Sequence, residues 1–468
     1  MTPGAKSLVS RVGVVALGVL LWTWPVPEGL TAPAWHLFAI FAATIVSVIV
    51  GAFPILTASV LGVAVAVLTG VLPPARAYAG FANATILLIV VAFLLARAVV
   101  KCGLGQRLGY LVVALFGRST LGLGYSVFLL DAVIAPAFPS NTARGGVLYP
   151  VAFSLAQGGG SRPDEATRKR MGAYLMFCGM ASLTLSSALW LTAMAANPLG
   201  AEMARAHGLK IGFGSWLAAS SVPTLLGLLI LPFLLYKIFS PEVKSTPEAP
   251  AEARRALREM GPLGTAEKVV GMTFLAMVLA WGLAGTLKLD TTAVAFGGLG
   301  VLLATESLTL KDIAAEGDVL ATFIWFAVLF ALSEELNRLG FMGYLGQRLA
   351  GALSGIPWLG AYVVLLVAYV VLHYLFVSQT AHLLALFGVF LDVGVRLGVP
   401  VAPLAFGLFF ATNYFSVLTP QGSSANLLFV GSGYLTQGEL YKLGTLTTVV
   451  LFLLYLVVGT PWVLFVMR

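Results

Sequence analysis

The chain has little charge, little sulfur and almost no extended polar sequence. Of its 468 residues only 10% are Asp, Glu, Lys or Arg; soluble domains average about a quarter, so an ordinary water-soluble globule is excluded. Its two cysteines, Cys102 and Cys178, lie in or beside apolar segments and have no His or Cys neighbours at metal-ligand spacing. They read as small packing residues.

Apolar sequence fills the space that charge leaves. Hydrophobic residues make up 59% of the chain, and the mean hydropathy is +0.97. Runs long enough for a ~30 Å hydrocarbon layer recur from end to end, so the whole chain is one polytopic, all-α membrane unit. The net charge of +8 resides in short loops, as membrane topology requires, and forms no basic face for nucleic acid. Lys6 and Arg11 precede the run Val12 to Trp24 as in a signal peptide, but no convincing small-residue cleavage site follows. A retained first helix is expected.

Candidate spans are Val12 to Trp24, His36 to Val50, Ile55 to Leu72, Ile86 to Val100, Met171 to Ala196 and Trp216 to Phe239. After the one extended polar stretch, residues 239–268, the pattern restarts with Val269 to Gly285, Thr291 to Ala304, Ala321 to Leu332, Pro403 to Leu418 and Thr445 to Phe465. Each half also contains a broken region, Gly109 to Leu155 and Trp358 to Val395. The expected parts are helices over 1–108 and 269–357, the parts that hold the broken regions over 109–238 and 358–468, and the 239–268 loop between them. Lys and Arg content assigns the N-terminus, SRPDEATRKR and that loop to the cytoplasm, with AEARRALREM as a short helix in the loop.

The two broken regions carry one motif. PSNTARGG, from Pro139, matches VSQTAHLL, from Val377: Ser140 with Ser378, Asn141 with Gln379, Thr142 with Thr380, Arg144 with His382. Two chance copies of this polar pattern in so apolar a chain are improbable, and interrupted segments at matching places in two halves mark a transporter's binding site. Proline-broken stretches follow both motifs: AANPLG with Asn197 and Pro198, LTPQGSSAN with Thr419 and Pro420. These four residues join the six polar motif residues as substrate-binding candidates.

A re-entrant hairpin tip leaves backbone polar groups without helical partners, which is tolerable where they line a cavity or meet a ligand. The helix that starts after each tip directs N–H groups and a partial positive charge toward an anion. Arg144 adds a permanent cation and His382 a conditional one. Two such tips facing each other would fit a small dianion with a carboxylate at each end. Taken singly, a membrane Ser or Thr usually bonds its own backbone and a lone Arg snorkels, but neither explains the recurrence. Asp131 and Asp392 are ion-pair or hairpin-support candidates. Arg97, Glu334 and Glu335 read as interface residues or parts of short in-plane helices, His373 as structural, and His36 and His207 as segment-edge residues.

These residues resemble the divalent anion:sodium symporter family of dicarboxylate and citrate carriers. PSNTARGG and VSQTAH look like its paired signatures, while LTAMAANPLG and GSGYLTQGELYKLG are similar to segments of its 2-oxoglutarate/malate translocators and citrate or tartrate:succinate antiporters. The resemblance implies an inverted-repeat fold of about eleven transmembrane helices plus two re-entrant hairpins, a homodimer, elevator movement and a bacterial-type inner membrane. In the symporter branch sodium binds beside the tips. In the exchanger branch fixed cations take that role, and Arg144 and His382 stand where they would act. The family's antiporter-like segment usually has polar or aromatic residues where this chain has Thr419, Pro420, Gln421 and Gly422.

Moving unneutralised Arg144 and protonated His382 through an apolar scaffold would cost several kcal/mol, so an empty carrier should return rarely. Sodium-independent exchange of succinate, malate, fumarate or 2-oxoglutarate is therefore expected, with sodium-coupled di- or tricarboxylate symport, and Na+ as coupling ion, the alternative. No enzyme activity, cofactor or structural metal is expected. An intramembrane hydrolase on Ser378 and His382 leaves the first motif unexplained and lacks an evident acidic orienter. A channel or non-transporting receptor on this scaffold would show as currents, or as binding without flux.

Overall fold

The computed structural model describes residues 3–315, 317–353, 355–376 and 378–467. Val377, the first residue of the second motif, lies outside them. The described residues form helices without strands, apart from an isolated bridge between Ser119 and Ser245. Helices satisfy the backbone groups of their interior turns internally, which a hydrocarbon environment demands. Eight of them are long and apolar enough to cross a membrane, and shorter apolar helices lie among them. The all-helical, multi-pass architecture agrees with the sequence.

The chain divides into two compact units. One comprises Met1–Val90, Leu199–Lys210 and Glu316–Leu408. Its helices Ala32–Ile49, Ile55–Leu68 and Gly317–Arg338 pack together, and Phe341–Ala352 and Trp358–His373 both pack on Gln379–Arg396. Backbones approach closely at Gly80, where a Cβ would collide with the Ala327 carbonyl.

The other unit comprises Val91–Pro198, Ile211–Ala315 and Phe409–Arg468. Its axis is the helix Gly172–Leu189, every residue of which is buried. Thr120–Ile134, Asn141–Gly158 and Phe213–Phe239 surround it. At Leu189 the expected span to Ala196 breaks into a short 3-10 turn, Leu191–Ala193, before Ala196–Ala204 resumes. In the 239–268 stretch the helix Ala249–Glu259 packs on Leu104–Phe116. The Arg107 guanidinium grips Glu267 at 2.6 and 3.0 Å and the Gly261 carbonyl at 2.9 Å. That stretch is thus a folded part of its unit.

The two halves repeat in register. Thr120–Ile134 and Asn141–Gly158 correspond to Trp358–His373 and Gln379–Arg396 at a constant offset, and both motif-bearing helices have 18 residues. A second constant offset relates Gly172–Leu189 to Val401–Tyr414 and the 3-10 turn Leu191–Ala193 to Pro420–Gly422. The shorter connection between Arg396 and Val401 accounts for the change of offset.

Candidate functional site

Each motif opens its helix in the same way. Ser140 is the N-cap of Asn141–Gly158, its Oγ accepting from the Ala143 amide at 3.3 Å. Ser378 caps Gln379–Arg396 and accepts from the Ala381 amide at 3.2 Å. A capping hydroxyl satisfies one of the orphan donors of a helix start, so both serines shape the tips through the backbone.

Within the first motif Arg144 is fully enclosed. The guanidinium has no exposed surface, and neither has Asp131, whose Oδ1 lies 3.1 Å from Arg144 Nε. Arg144 Nη2 donates to Asn141 Oδ1 at 2.8 Å, Ser187 Oγ at 2.6 Å and the Leu183 carbonyl at 3.0 Å. Nη1 donates to the Ala193 carbonyl at 3.0 Å. Three oxygens therefore converge on one nitrogen, as they would on a small hard cation. Arg144 is not the unneutralised cation expected from the sequence: Asp131 balances it inside the protein. Ser187, Leu183 and Ala193 carried no sequence signal, being one hydroxyl and two backbone carbonyls.

His382 is also buried, and its surroundings differ. Its Nε2 lies 3.2 Å from the Tyr369 carbonyl. The rings of Tyr369, His373 and Phe376 lie 4.2, 5.0 and 5.3 Å from its own, centroid to centroid. Gln379 and Thr380 are buried beside it in sequence. Of the remaining acids, Asp392 pairs with Arg396 at 2.6 Å, and Glu335 with Arg338 at 2.6 Å and Arg76 at 3.8 Å.

The broken stretches are held open by two asparagines at equivalent positions. Asn197 Nδ2 donates to the Ser187 carbonyl at 2.8 Å and the Trp190 carbonyl at 3.2 Å, intervals of 10 and 7 residues. Asn426 Nδ2 donates to Ser416 at 2.6 Å and Thr419 at 3.0 Å over the same intervals of 10 and 7. Asn426, which sequence reasoning missed, is the partner of Asn197 in the repeat; Thr419 is the equivalent of Trp190. A side-chain amide takes the carbonyls that a helix break leaves without donors. Asn413 Nδ2 joins the set by donating to Asn197 Oδ1 at 3.0 Å. Pro198 is buried within Ala196–Ala204, and Pro420 starts the second 3-10 turn. Gly444 lets its helix pass close to the backbone that leads into that turn, since a Cβ there would stand 2.6 Å from the Val417 carbonyl.

Thr142 points outward. Its Oγ1 lies 2.7 Å from Ser424 Oγ, an exposed pair of hydroxyls that ties the first tip to the second broken stretch. Ser424 is a further residue that the sequence did not single out.

Comparison with known proteins follows the same lines. The sequence model described as "Sodium:sulfate symporter transmembrane region" matches residues 5–468. The chain belongs to this family. It is 40% identical to the putative malate transporter YflS of Bacillus subtilis, over 98% of this chain and 96% of that protein. It is 39% identical to the chloroplastic dicarboxylate transporter 1 of Arabidopsis thaliana, over 96% of this chain and 81% of that protein. Identity to the L-tartrate/succinate antiporter of Shigella sonnei is 31%, covering 97% of each. The crystal structure of the Alcanivorax borkumensis YdaH transporter shares the fold with a TM-score of 0.60 at 16% identity, covering 98% of this chain and 97% of that one.

Proposed function

We propose that this member of the family carries C4 and C5 dicarboxylates across the membrane by sodium-independent exchange, and that it is not an enzyme. What supports the substrate class is the pair of capped, polar helix starts, together with the malate, dicarboxylate and tartrate/succinate activities named for its relatives. The observation that carries sodium independence is the oxygen set around Arg144 Nη2. Oxygen ligands of this kind suit a hard cation, but here a covalently tethered cation fills the position and cannot leave with the substrate.

Asn141, Thr142, Gln379 and Thr380 bind the carboxylates, Ser140 and Ser378 shape the tips, and Asn197, Pro198, Thr419 and Pro420 complete the walls. Arg144 and His382 act in place of coupling cations. Because Arg144 travels as half of a neutral pair, resistance to empty return resides in helix-start donors that a carboxylate satisfies. The carrier works by elevator movement as a homodimer in a bacterial-type inner membrane, its N-terminus and 239–268 segment cytoplasmic.

Proteoliposomes preloaded with unlabelled succinate, malate or 2-oxoglutarate should take up labelled dicarboxylate, and empty ones should not. Equal uptake by empty vesicles under a sodium gradient would overturn exchange in favour of sodium-coupled symport.

A further inference from the structure

Asp131 enters the transport reading only as the charge that neutralises Arg144. It lies on Thr120–Ile134, wholly buried, and its one ionic partner among the described residues is Arg144. Arg144 is equally buried, so its charge is spent on Asp131 and on enclosed oxygens and faces no open space. The guanidinium does, however, touch a substrate-binding candidate, Asn141.

The direction of that contact matters. Asn141 Oδ1 accepts from Arg144 Nη2 and also from Ser187 Oγ. Guanidinium is a donor without acceptor capacity, so the amide oxygen, and not its NH2, must face Arg144. With the acceptor end held there, the donor end of the amide turns away from the guanidinium. A substrate carboxylate accepts hydrogen bonds and can be met only by donors. An Asn141 flipped by half a turn would present an oxygen to it and be repelled.

The geometry points to Asp131 and Arg144 as a positioning pair that fixes the Asn141 amide donor-outward for the substrate carboxylate, with neither charge contacting the substrate. This assignment rests on the dicarboxylate reading. It makes the arginine of the motif a positioning residue, and it gives Asp131 a role: without the carboxylate, the buried cation would lose the partner that holds its Nε edge in place.

A charge cycle tests it, with full-length protein in succinate-loaded proteoliposomes and melting temperature as the check on folding. D131N and R144Q should each lower counterflow by at least about tenfold, since each leaves a buried charge unpaired. D131N/R144Q removes both charges together and should recover to within about tenfold of wild type, the remaining loss falling in KM rather than in maximal rate. Should the singles fail to fold, Ser187→Ala removes the second lock on Asn141 Oδ1 without changing any charge, and it should raise KM at unchanged maximal rate. A folded double variant as silent as R144Q would show that the substrate needs the guanidinium itself and would overturn the proposal. An unchanged KM in Ser187→Ala would overturn it as well. A wild type silent with succinate, malate and 2-oxoglutarate would instead bring down the dicarboxylate reading, and this inference with it.

Discussion

Arg144 Nε lies 3.1 Å from Asp131 Oδ1 with both side chains fully buried, and His382 Nε2 approaches the Tyr369 carbonyl, 13 residues upstream, over the same interval of chain. The repeat thus preserves a geometry and changes its chemistry. In the first half a permanent cation is balanced by a carboxylate; in the second an imidazole lies among aromatic rings. A buried cation without a counter-ion costs several kcal/mol, whereas a neutral imidazole needs none. One half therefore carries a balanced charge where the other needs none.

The exposed hydroxyl pair Thr142 and Ser424 offers donors where a carboxylate can reach them. Each neutral hydrogen bond is worth about 0.5–1.5 kcal/mol, so T142A and S424A should each raise the KM for dicarboxylate by about two- to tenfold. Maximal rate should change little, because neither hydroxyl holds the fold. Initial-rate counterflow at varied substrate concentration checks this; an unchanged KM in S424A would exclude Ser424 from the site.

Asn197 and Asn426 should behave as a matched pair in stability. Each amide serves two carbonyls at a helix break, and leaving a buried polar group unsatisfied costs about 1–3 kcal/mol. N197A and N426A should lower the melting temperature in detergent by similar amounts. A marked loss in one and none in the other would mean that the structural repeat does not extend to the energetics.

The equivalence of those two residues was not legible in the sequence, whereas the equivalence of the motifs was. Ser-amide-Thr-Ala-cation is a five-residue pattern, visible because polar residues are rare in this chain. Asn197 and Asn426 share with each other an amide and the carbonyls it reaches, and carbonyls leave no trace in sequence. The prolines that drew attention, Pro198 and Pro420, do not correspond: one lies within a helix after the turn, the other opens the turn itself. Asp131 was legible as a costly membrane carboxylate, but its partner was not, since a 13-residue separation crosses a helix, a 3-10 turn and a cap. The multi-pass helical fold followed from hydropathy alone, because lipid permits so few backbone solutions.

Outside the spans, Asp312 gives a prediction for acid stability. Lys101 Nζ lies 2.6 Å from its carboxylate, and Thr309 donates to it from both its hydroxyl and its amide. Lys101 first, then Thr309, hold this carboxyl well below the usual carboxylate range. A depressed folded-state pKa adds stability that is complete above the unfolded pKa and is lost as pH falls through the folded one. The difference in melting temperature between wild type and D312N should therefore stay constant from neutral pH down to the ordinary carboxylate range, and shrink only in stronger acid. A difference that shrank already near neutrality would mean that the Lys101 contact does not hold in solution.

The oxygen set around Arg144 allows the coupling mode to be tested by replacement. In R144S the guanidinium is gone, while Asn141 Oδ1, Ser187 Oγ and the Leu183 carbonyl remain around the vacated Nη2 position. Asp131 is left without its counter-ion. A buried carboxylate beside three inward-facing oxygens attracts a small hard cation, because the cation restores both the lost charge and the lost donors. R144S should thus be silent in sodium-free medium and regain part of its dicarboxylate counterflow as sodium is added, with the wild type indifferent to sodium throughout. Neutralising Asp131 as well, in D131N/R144S, should abolish the sodium response, since three neutral oxygens hold the cation without the charge that drew it in. Sodium-stimulated flux in R144S that survives D131N would place the cation elsewhere. A folded R144S that ignores sodium would mean that these oxygens are shaped for the guanidinium fork alone.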